Sequence, residues 1–521
     1  MDIGYPIGEQ DFKSLREMKC VYVDKTIYIE RILNQRSKYF FLARPRRFGK
    51  SLFLSTLRYF FEGEQRLFNG LHIDSYAWNW EKYPVLHLDL NPDRYSESGQ
   101  LDQLLDTLFR KWEYEYEVQQ VPEDPAQRFK AIIQAAHIKT GRQVVILVDE
   151  YDKPLVGNLN KDLNFEHYRL KLASIYSNLK SSAEHIRLAF ITGVSRFSKL
   201  SIFSDLNNLR DITFSDEYAD ICGITETEML HDLSRGIEDL ASEYGISFKD
   251  ACIKLKLNYD GYCFARKGSE IYNPWSLLNA MAESRIGSYW TLTGMPTIIA
   301  ESLLRIDADL EKILNTRCTF DMLSGLDLRN PNPVALLYQT GYLTIKKYER
   351  STETVTLGIP NIEVKRGLFD VLLPYYVASK QMTTGGIVFD IIDSLRDGRP
   401  EDFIKYLDIF LAGIPYEMKM ENENNLHNAL YILLSLIGID TKVEVHTSDG
   451  RIDLIISTSE YIYIIELKFN HDSSSALNQI EEKDYGLPYA NDPRRIFKIG
   501  VNFSSKTRHL DKPVIKNSRL I

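Results

Sequence analysis

Ala43-Arg44-Pro45-Arg46-Arg47-Phe48-Gly49-Lys50-Ser51-Leu52-Phe53-Leu54 decides how this chain is read. The stretch closes an apolar run, Tyr39 to Ala43, and opens a pattern in which Leu52, Phe53, Thr56, Leu57, Phe60 and Phe61 recur at helical spacing. A buried strand, a loop and a helix are predicted in that order. Gly49-Lys50-Ser51 fills the last three places of a phosphate cradle: a glycine that lets backbone N–H groups approach, a lysine for the outer phosphate oxygens, and a hydroxyl for Mg²⁺. A helix N-terminus at this point also favours an anion. The first glycine of G-x-x-x-x-G-K-[ST] is Arg44 here, and Arg46 and Arg47 add further cations. A bare G-K-S also precedes helices at surface turns, so the reading needs partners elsewhere in the chain.

Val144 to Val148 is a continuous apolar run ending in Asp149-Glu150, the pattern of a fully buried parallel strand with acids at its carboxyl end. As a Walker B pattern, it predicts that Asp149 holds Mg²⁺ and Glu150 polarises the attacking water. The bland alternative is a core strand running into a solvated acidic turn, and Asp152 reads as a turn residue. Val85 to Leu90 and Ile186 to Thr192 are two more buried strands. Thr192 or Ser195, at the tip of the latter, stands where a γ-phosphate sensor belongs. Arg196 and Arg210 are candidates for charge stabilisation, with surface cations as the plainer reading. Tyr22 to Thr26 and the helical stretch after it either brace the sheet or pack beside a nucleotide base. Four apolar strands alternating with helical stretches predict an α/β fold with a doubly wound parallel sheet and nucleotide at the carboxyl ends of the strands.

Tyr22-Val23-Asp24-Lys25-Thr26, Arg44 to Ser51, Asp149-Glu150-Tyr151-Asp152 and Leu206-Asn207-Asn208-Leu209 together resemble the prokaryotic AAA-ATPase-like proteins. The resemblance implies that the arginine-rich loop is that family's own P-loop. It implies ATP and Mg²⁺ as cofactors, bound by Arg46, Arg47, Phe48, Gly49, Lys50, Ser51, Leu52 and Asp149. By the same resemblance, the helical stretch Thr225 to Leu257, followed by Tyr259-Asp260-Gly261-Tyr262 and Tyr272-Asn273-Pro274, is a lid that moves with nucleotide state. The tyrosines there and Trp275 read as lid packing before they read as a binding surface. Ala335 to Ile345, then Lys346 to Val364, has the order of a helix and β-wing, which suits DNA contact or docking between domains. Leu368 to Leu411 is helix-rich.

The last hundred residues hold a second constellation. Leu426, Leu430, Leu433, Leu434 and Ile437 mark one face of a helix from Glu423 to Gly438. Gly450-Arg451-Ile452-Asp453 leads into Leu454-Ile455-Ile456, and Tyr461 to Leu467 carries Glu466-Leu467-Lys468. Alternation along a strand projects Glu466 and Lys468 to one side, near the strand of Asp453. Ala476 to Tyr485 reads as a helix with Gln479 and Lys483 on one face, and Ile496 to Phe503 as a final strand. An isolated E-x-K is most often a surface ion pair. The whole order, with Asp453 thirteen residues before Glu466, resembles the PD-(D/E)xK nuclease superfamily. That resemblance implies a restriction-endonuclease-like α/β domain in which Asp453 and Glu466 bind Mg²⁺ and Lys468 acts on the attacking water. Glu423 would be an accessory acid, Arg451 a phosphate contact, and Gln479 and Lys483 contacts to the strand being cut. The literal Pro-Asp dipeptide is absent, because Ile452 precedes Asp453.

The expected division is an ATPase core over 1–223, a lid over 224–330, a winged-helix-like and helical linker over 331–410, and a nuclease-like domain over 411–521. With 521 residues, 44% hydrophobic and 26% charged, the chain is long enough for several cores. Its five cysteines show no C-x-x-C spacing, which fits a reducing cytoplasm and gives neither a zinc site nor a disulfide framework. No apolar stretch is long enough to span a membrane. A net charge of −9 argues against a protein coated by nucleic acid and leaves room for a local basic groove. The function expected is an ATPase coupled to a metal-dependent nuclease acting on DNA, with RNA an open second substrate and a homo-oligomer compatible with an arginine supplied in trans. The alternative is a nucleotide-dependent regulatory or nucleic-acid-binding module whose nuclease-like domain does not cut.

Overall fold

Five parallel strands carry the first cleft: β1 (Tyr39–Ala43), β2 (Val85–Asp89), β3 (Val144–Asp149), β4 (Ile186–Gly193) and the two-residue β5 (Arg210–Asp211). Their spatial order is β2-β3-β4-β1-β5, every pair parallel. In this computed structural model residues 4–521 are described, except 92–94, 96, 98, 159–161, 197–201, 204–205, 207, 291–298, 301–302, 304–309, 326–331, 377–383, 414–422, 441, 449–450, 484, 490–491 and 519–521. β1 and β3 are buried at every position, as their unbroken apolar runs require of strands covered on both faces. The covering helices include Lys50–Phe61, Gln100–Glu115, Pro125–Thr140 and Asp162–Ser181. The polar stretch after β2 is thus two helices, the second started by the Asp124 side chain, which accepts from the N–H of Gln127, with Pro125 at its first position. The edge strand β5 escaped the sequence reading, since Arg210-Asp211 carries no apolar signal.

Two compact units divide the chain: Met1–Gly294 with Asn315–Glu363, and Met295–Leu314 with Val364–Ile521. After the parallel sheet, the first unit continues into the helices Glu226–Asp232, Ser234–Tyr244, Phe248–Tyr259 and Pro274–Glu283. Met229, Ile237, Leu240, Leu255 and Leu277 form their common core. A short antiparallel pair, β6 (Ile224–Thr225) and β7 (Ile271–Tyr272), ties the two ends of this helical group together. The helix Pro333–Thr340 follows, with an antiparallel sheet of order β8-β10-β9 made of Arg317–Thr319 (β8), Thr344–Glu349 (β9) and Thr354–Gly358 (β10). The helix-then-hairpin order expected over this stretch is present.

The second unit holds the helices Thr384–Arg396, Pro400–Ala412 and Glu423–Asp440 and a mixed sheet. Its strands are β11 (Lys442–Ser448), β12 (Arg451–Ser457), β13 (Tyr461–Phe469), β14 (Arg495–Ser504) and β15 (His509–Leu510) in that spatial order, with β16 (Val514–Ser518) also on β14. β13 and β14 are parallel and joined through the helix Ser473–Glu482. Leu477 and Ile480 of that helix pack on Ile462, Ile464 and Ile496. Gly500 permits this approach, because a Cβ there would lie 2.4 Å from the Leu477 nitrogen. On the opposite face the Tyr463 hydroxyl donates to the Leu395 carbonyl at 2.7 Å. Among the described residues, no helix is long and apolar enough to cross a membrane.

Candidate functional sites

Gly49 has φ 91°, a left-handed conformation that favours glycine, and Lys50 begins the helix that follows. The Lys50 ammonium is buried and donates to the carbonyls of Arg44 and Pro45, both at 3.0 Å. Arg44 departs from the phosphate-facing cluster that its position suggests. Its guanidinium is buried, donates to the carbonyls of Thr213 at 2.8 Å and Tyr218 at 3.2 Å, and lies 4.6 Å from the Phe264 ring centre. Burial lowers its pKa. Where the pattern has its first glycine, this chain has an arginine that straps the loop to the segment beyond β5.

Arg46 to Leu52 form one wall of a cleft of about 280 Å³; Glu150 and Lys153 line a second, and Trp275 and the N-terminal turn at Gly8 to Gln10 complete it. Among these lining residues four cations (Arg46, Arg47, Lys50, Lys153) face two acids (Glu9, Glu150), a balance that suits a polyanion. Arg47 and Glu150 both hold left-handed backbone conformations, φ 65° and 49°. Such positions cost about 1–3 kcal/mol each and cluster at functional sites.

The end of β3 is tied to the end of β4 residue by residue. Thr192 donates to the buried Asp149 carboxylate at 2.6 Å, and the N–H of Glu150 donates to the same oxygen at 3.0 Å. Burial raises the Glu150 pKa, opposed by the charge of Lys50. The Tyr151 hydroxyl donates to the Ser195 carbonyl at 2.9 Å, and its ring covers Gly193, where a Cβ would come within 2.5 Å of it. Asp152 lies in the turn after β3, as expected, and is also a buried clamp: it accepts from the N–H groups of Ser195 at 2.6 Å and Val194 at 3.2 Å, and burial raises its pKa. Arg196 lies outside the cleft lining. Its guanidinium pairs with Asp211 at 2.5 Å and donates to Ser324. Arg210 is likewise engaged, with Gln35 and with Glu217 at 3.3 Å.

A smaller apolar cavity of about 80 Å³ shares Phe48, Gly49, Leu52 and Pro274 with the cleft and adds Val21, Val23, Phe53, Ile221 and Ile224. The Tyr22 to Thr26 stretch therefore supplies part of its wall, and Lys25 is held there by both oxygens of Glu228 at 2.6 and 2.7 Å. Trp275 and Lys153 reach the cleft although sequence reading had assigned neither to it. The only signals available were an aromatic just after a helix-starting Asn-Pro and a lysine one turn past Glu150. The Ser51 hydroxyl and the Asp149 carboxylate are hard oxygen donors, which fits Mg²⁺, an ion usually held by one or two protein groups together with substrate phosphates. Groups of three or more His, Cys, Asp and Glu placed to hold a metal are absent among the described residues.

In the second unit, Glu466 is fully buried and Lys468, two residues on, is half-buried, its ammonium donating to the Ser475 carbonyl at 3.3 Å. The ladder sets Asp453 opposite Glu466, and Glu466 beside Gly500. Gln479 is half-buried on the covering helix, and Lys483 lies exposed just past its end. The side chains of Glu423, Arg451 and Asp453 lie outside the described part of the structure. Carboxylates on facing strands with a lysine alongside are, as a donor set, suited to a hard divalent ion.

Residues 6–203 match the family described as "Predicted AAA-ATPase", and residues 421–512 match the "PD-(D/E)XK nuclease superfamily". The chain is 32% identical over 516 residues to the "Uncharacterized protein in vnfD 5'region" of Azotobacter chroococcum mcd 1, covering 96% of this chain and 97% of that protein.

Proposed function

The chain belongs to the AAA-ATPase-like family, with a PD-(D/E)XK nuclease superfamily domain at its C-terminus, and we propose that it hydrolyses ATP in the first unit and cleaves DNA in the second, the first reaction governing the second. The observation that carries the ATPase half is the meeting of a cationic P-loop wall with Glu150 in one cleft, Glu150 following directly on the Asp149 that Thr192 holds. The polyphosphate lies along Arg46 to Ser51, with the base in the adjoining apolar cavity. Lys50 exchanges two loop carbonyls for phosphate oxygens, a stronger, charge-assisted pairing. Glu150, its carboxyl basicity raised by burial, orients the attacking water and takes its proton. Mg²⁺, held by Ser51 and Asp149, would neutralise charge on the outer phosphates.

In the second unit the proposed centre is Asp453, Glu466 and Lys468. Mg²⁺ there, held by the two acids, would polarise the scissile phosphate. Lys468 orients the water and offsets charge that develops on the phosphate oxygens. Gln479 on the helix Ser473–Glu482 and Lys483 just past its end serve as contacts for the nucleic-acid backbone.

The test is to incubate the purified full chain with supercoiled DNA, linear DNA and RNA, with Mg²⁺ or Mn²⁺, with and without ATP. Asp453→Ala should lose cleavage and keep ATP turnover. Lys50→Ala should lose turnover and alter the ATP dependence of cleavage. Cleavage surviving in Asp453→Ala would refute that centre. ATP turnover with no nucleic acid cut would replace the nuclease reading with a nucleotide-dependent binding module.

A further inference from the structure

Arg47 and Trp275 meet across the cleft: the guanidinium carbon stands 4.0 Å from the ring centre, and both residues line the space that Lys50, Ser51 and Glu150 line. Each is held from outside the pair. Arg47 sits at φ 65°, a conformation kept only where the surroundings enforce it. Trp275 is the second residue of the helix Pro274–Glu283, whose start is fixed by the Asn273 side chain accepting from the N–H of Ser276 at 3.0 Å. Its indole N–H donates to the Tyr289 carbonyl at 3.2 Å. The turn at Gly8 lies against it, since a Cβ there would be 3.9 Å from Cζ3 of the ring.

We propose that Trp275 is a positioning residue that holds Arg47 for the nucleotide polyphosphate, so that the charge-stabilising arginine of this cleft is supplied in cis from the P-loop and is set in place by the lid helix. A guanidinium carries its five N–H donors in its own plane. Stacking on an indole therefore uses its face and leaves its edge for phosphate oxygens, while removing side-chain freedom that binding would otherwise have to remove. The other arginines named for this task are committed elsewhere, Arg196 to Asp211 and Arg210 to Gln35 and Glu217. Because the ring belongs to the helix and the cation to the loop, the coupling runs both ways: whatever the stack adds to phosphate binding, bound phosphate adds to docking of the helix.

This inference rests on the cleft being a nucleotide site, and the experiment separates the two. Affinities of the full chain for ATP, ADP and AMP with Mg²⁺, and steady-state ATP turnover, are measured for the native protein, Arg47→Ala, Arg47→Lys, Trp275→Leu, Trp275→Phe and the Arg47→Ala/Trp275→Leu double variant. Arg47→Ala should weaken ATP about tenfold to a hundredfold, the range for losing hydrogen bonds to a charged group, and leave AMP nearly unchanged. Trp275→Leu should weaken ATP about threefold to thirtyfold, with the same sparing of AMP, and Trp275→Phe should recover most of the loss. Arg47→Lys, which keeps charge and loses the planar stack, should behave more like Arg47→Ala than like the native protein. The double variant should be no weaker than Arg47→Ala alone, because Trp275 acts only through Arg47. Additive losses, or a Trp275→Leu deficit equal for ATP and AMP, would make Trp275 a structural lid residue and overturn the inference. If Trp275→Leu does not fold, Arg47→Lys and Trp275→Phe decide it by the same ATP-to-AMP comparison. A native protein that binds no nucleotide would overturn the cleft assignment itself.

Discussion

Thr192→Val removes one hydroxyl from the tip of β4 and leaves a side chain of nearly the same shape. The hydroxyl lost is the one that donates to the buried Asp149 carboxylate at 2.6 Å. A hydrogen bond to a charged group contributes about 1.5–3 kcal/mol. Asp149 keeps the N–H of Glu150 on the same oxygen at 3.0 Å, which places the loss near the lower end, about 1.5 kcal/mol, or roughly tenfold in an equilibrium constant. If Asp149 holds Mg²⁺, that loss falls on its orientation, and groups that orient a metal's ligands typically matter by about tenfold to a hundredfold in metal affinity or activity. The assay is initial ATP turnover against Mg²⁺ concentration at saturating ATP, with thermal unfolding measured in parallel. The valine variant should need about tenfold more Mg²⁺ for half-maximal rate, and Thr192→Ser should stay close to the native protein. A valine variant that unfolds earlier yet keeps the native Mg²⁺ curve would show the bond to be purely structural. Native behaviour in both measurements would refute the reasoning outright.

Glu150→Gln should keep ATP binding and lower turnover by about 10²–10⁴-fold, the usual worth of a positioned base. Because burial raises the Glu150 pKa and the active form is ionised, native turnover should fall as pH drops through a midpoint above the ordinary 4.5; a midpoint at or below 4.5 counts against Glu150 as the base. The buried Asp260 carboxyl is pushed up to about 6, chiefly by burial, with the backbone N–H of Gly261 and then Lys256, 3.9 Å away, pulling it back only in part. Its proton is thus held more tightly in the folded chain, so its stabilising contribution is present below the ordinary 3.8 and is lost as pH rises through about 6. Melting curves between those limits should show this slope in the native protein and a flatter one in Asp260→Asn. Glu363→Ala takes the acceptor from the N–H groups of Tyr289 and Trp290, bonded at 2.5 and 2.9 Å, and should lower stability in denaturant unfolding by about 1–3 kcal/mol for each group left unpaired. Glu363→Gln, which retains an acceptor oxygen, should lose less.

The motifs were legible because each is local. Tyr39 to Ala43 and Val144 to Val148 are unbroken apolar runs, the length and pattern that strands covered on both faces use. Gly49-Lys50-Ser51 and Glu466-Leu467-Lys468 are read from adjacent residues, and the strand and helix periods say which of them share a side. Arg44 was not legible. A guanidinium beside two others looks like a surface cation until Thr213 and Tyr218 present carbonyls to it. The same holds for Asp152, whose partners are backbone N–H groups at the end of another strand.

The sequence by itself determined the buried strands that carry the motifs, the family they resemble, and the residue types at each candidate centre. Periodicity, composition and neighbouring residues carry that information within a few turns of chain. Only the tertiary structure decided that β4 lies between β1 and β3, which brings Thr192 onto Asp149, and that Trp275 of the helix Pro274–Glu283 stands over Arg47 of the loop. Strand order and the docking of a helix are set by the burial of whole faces against one another, a collective free energy that no single stretch of residues records.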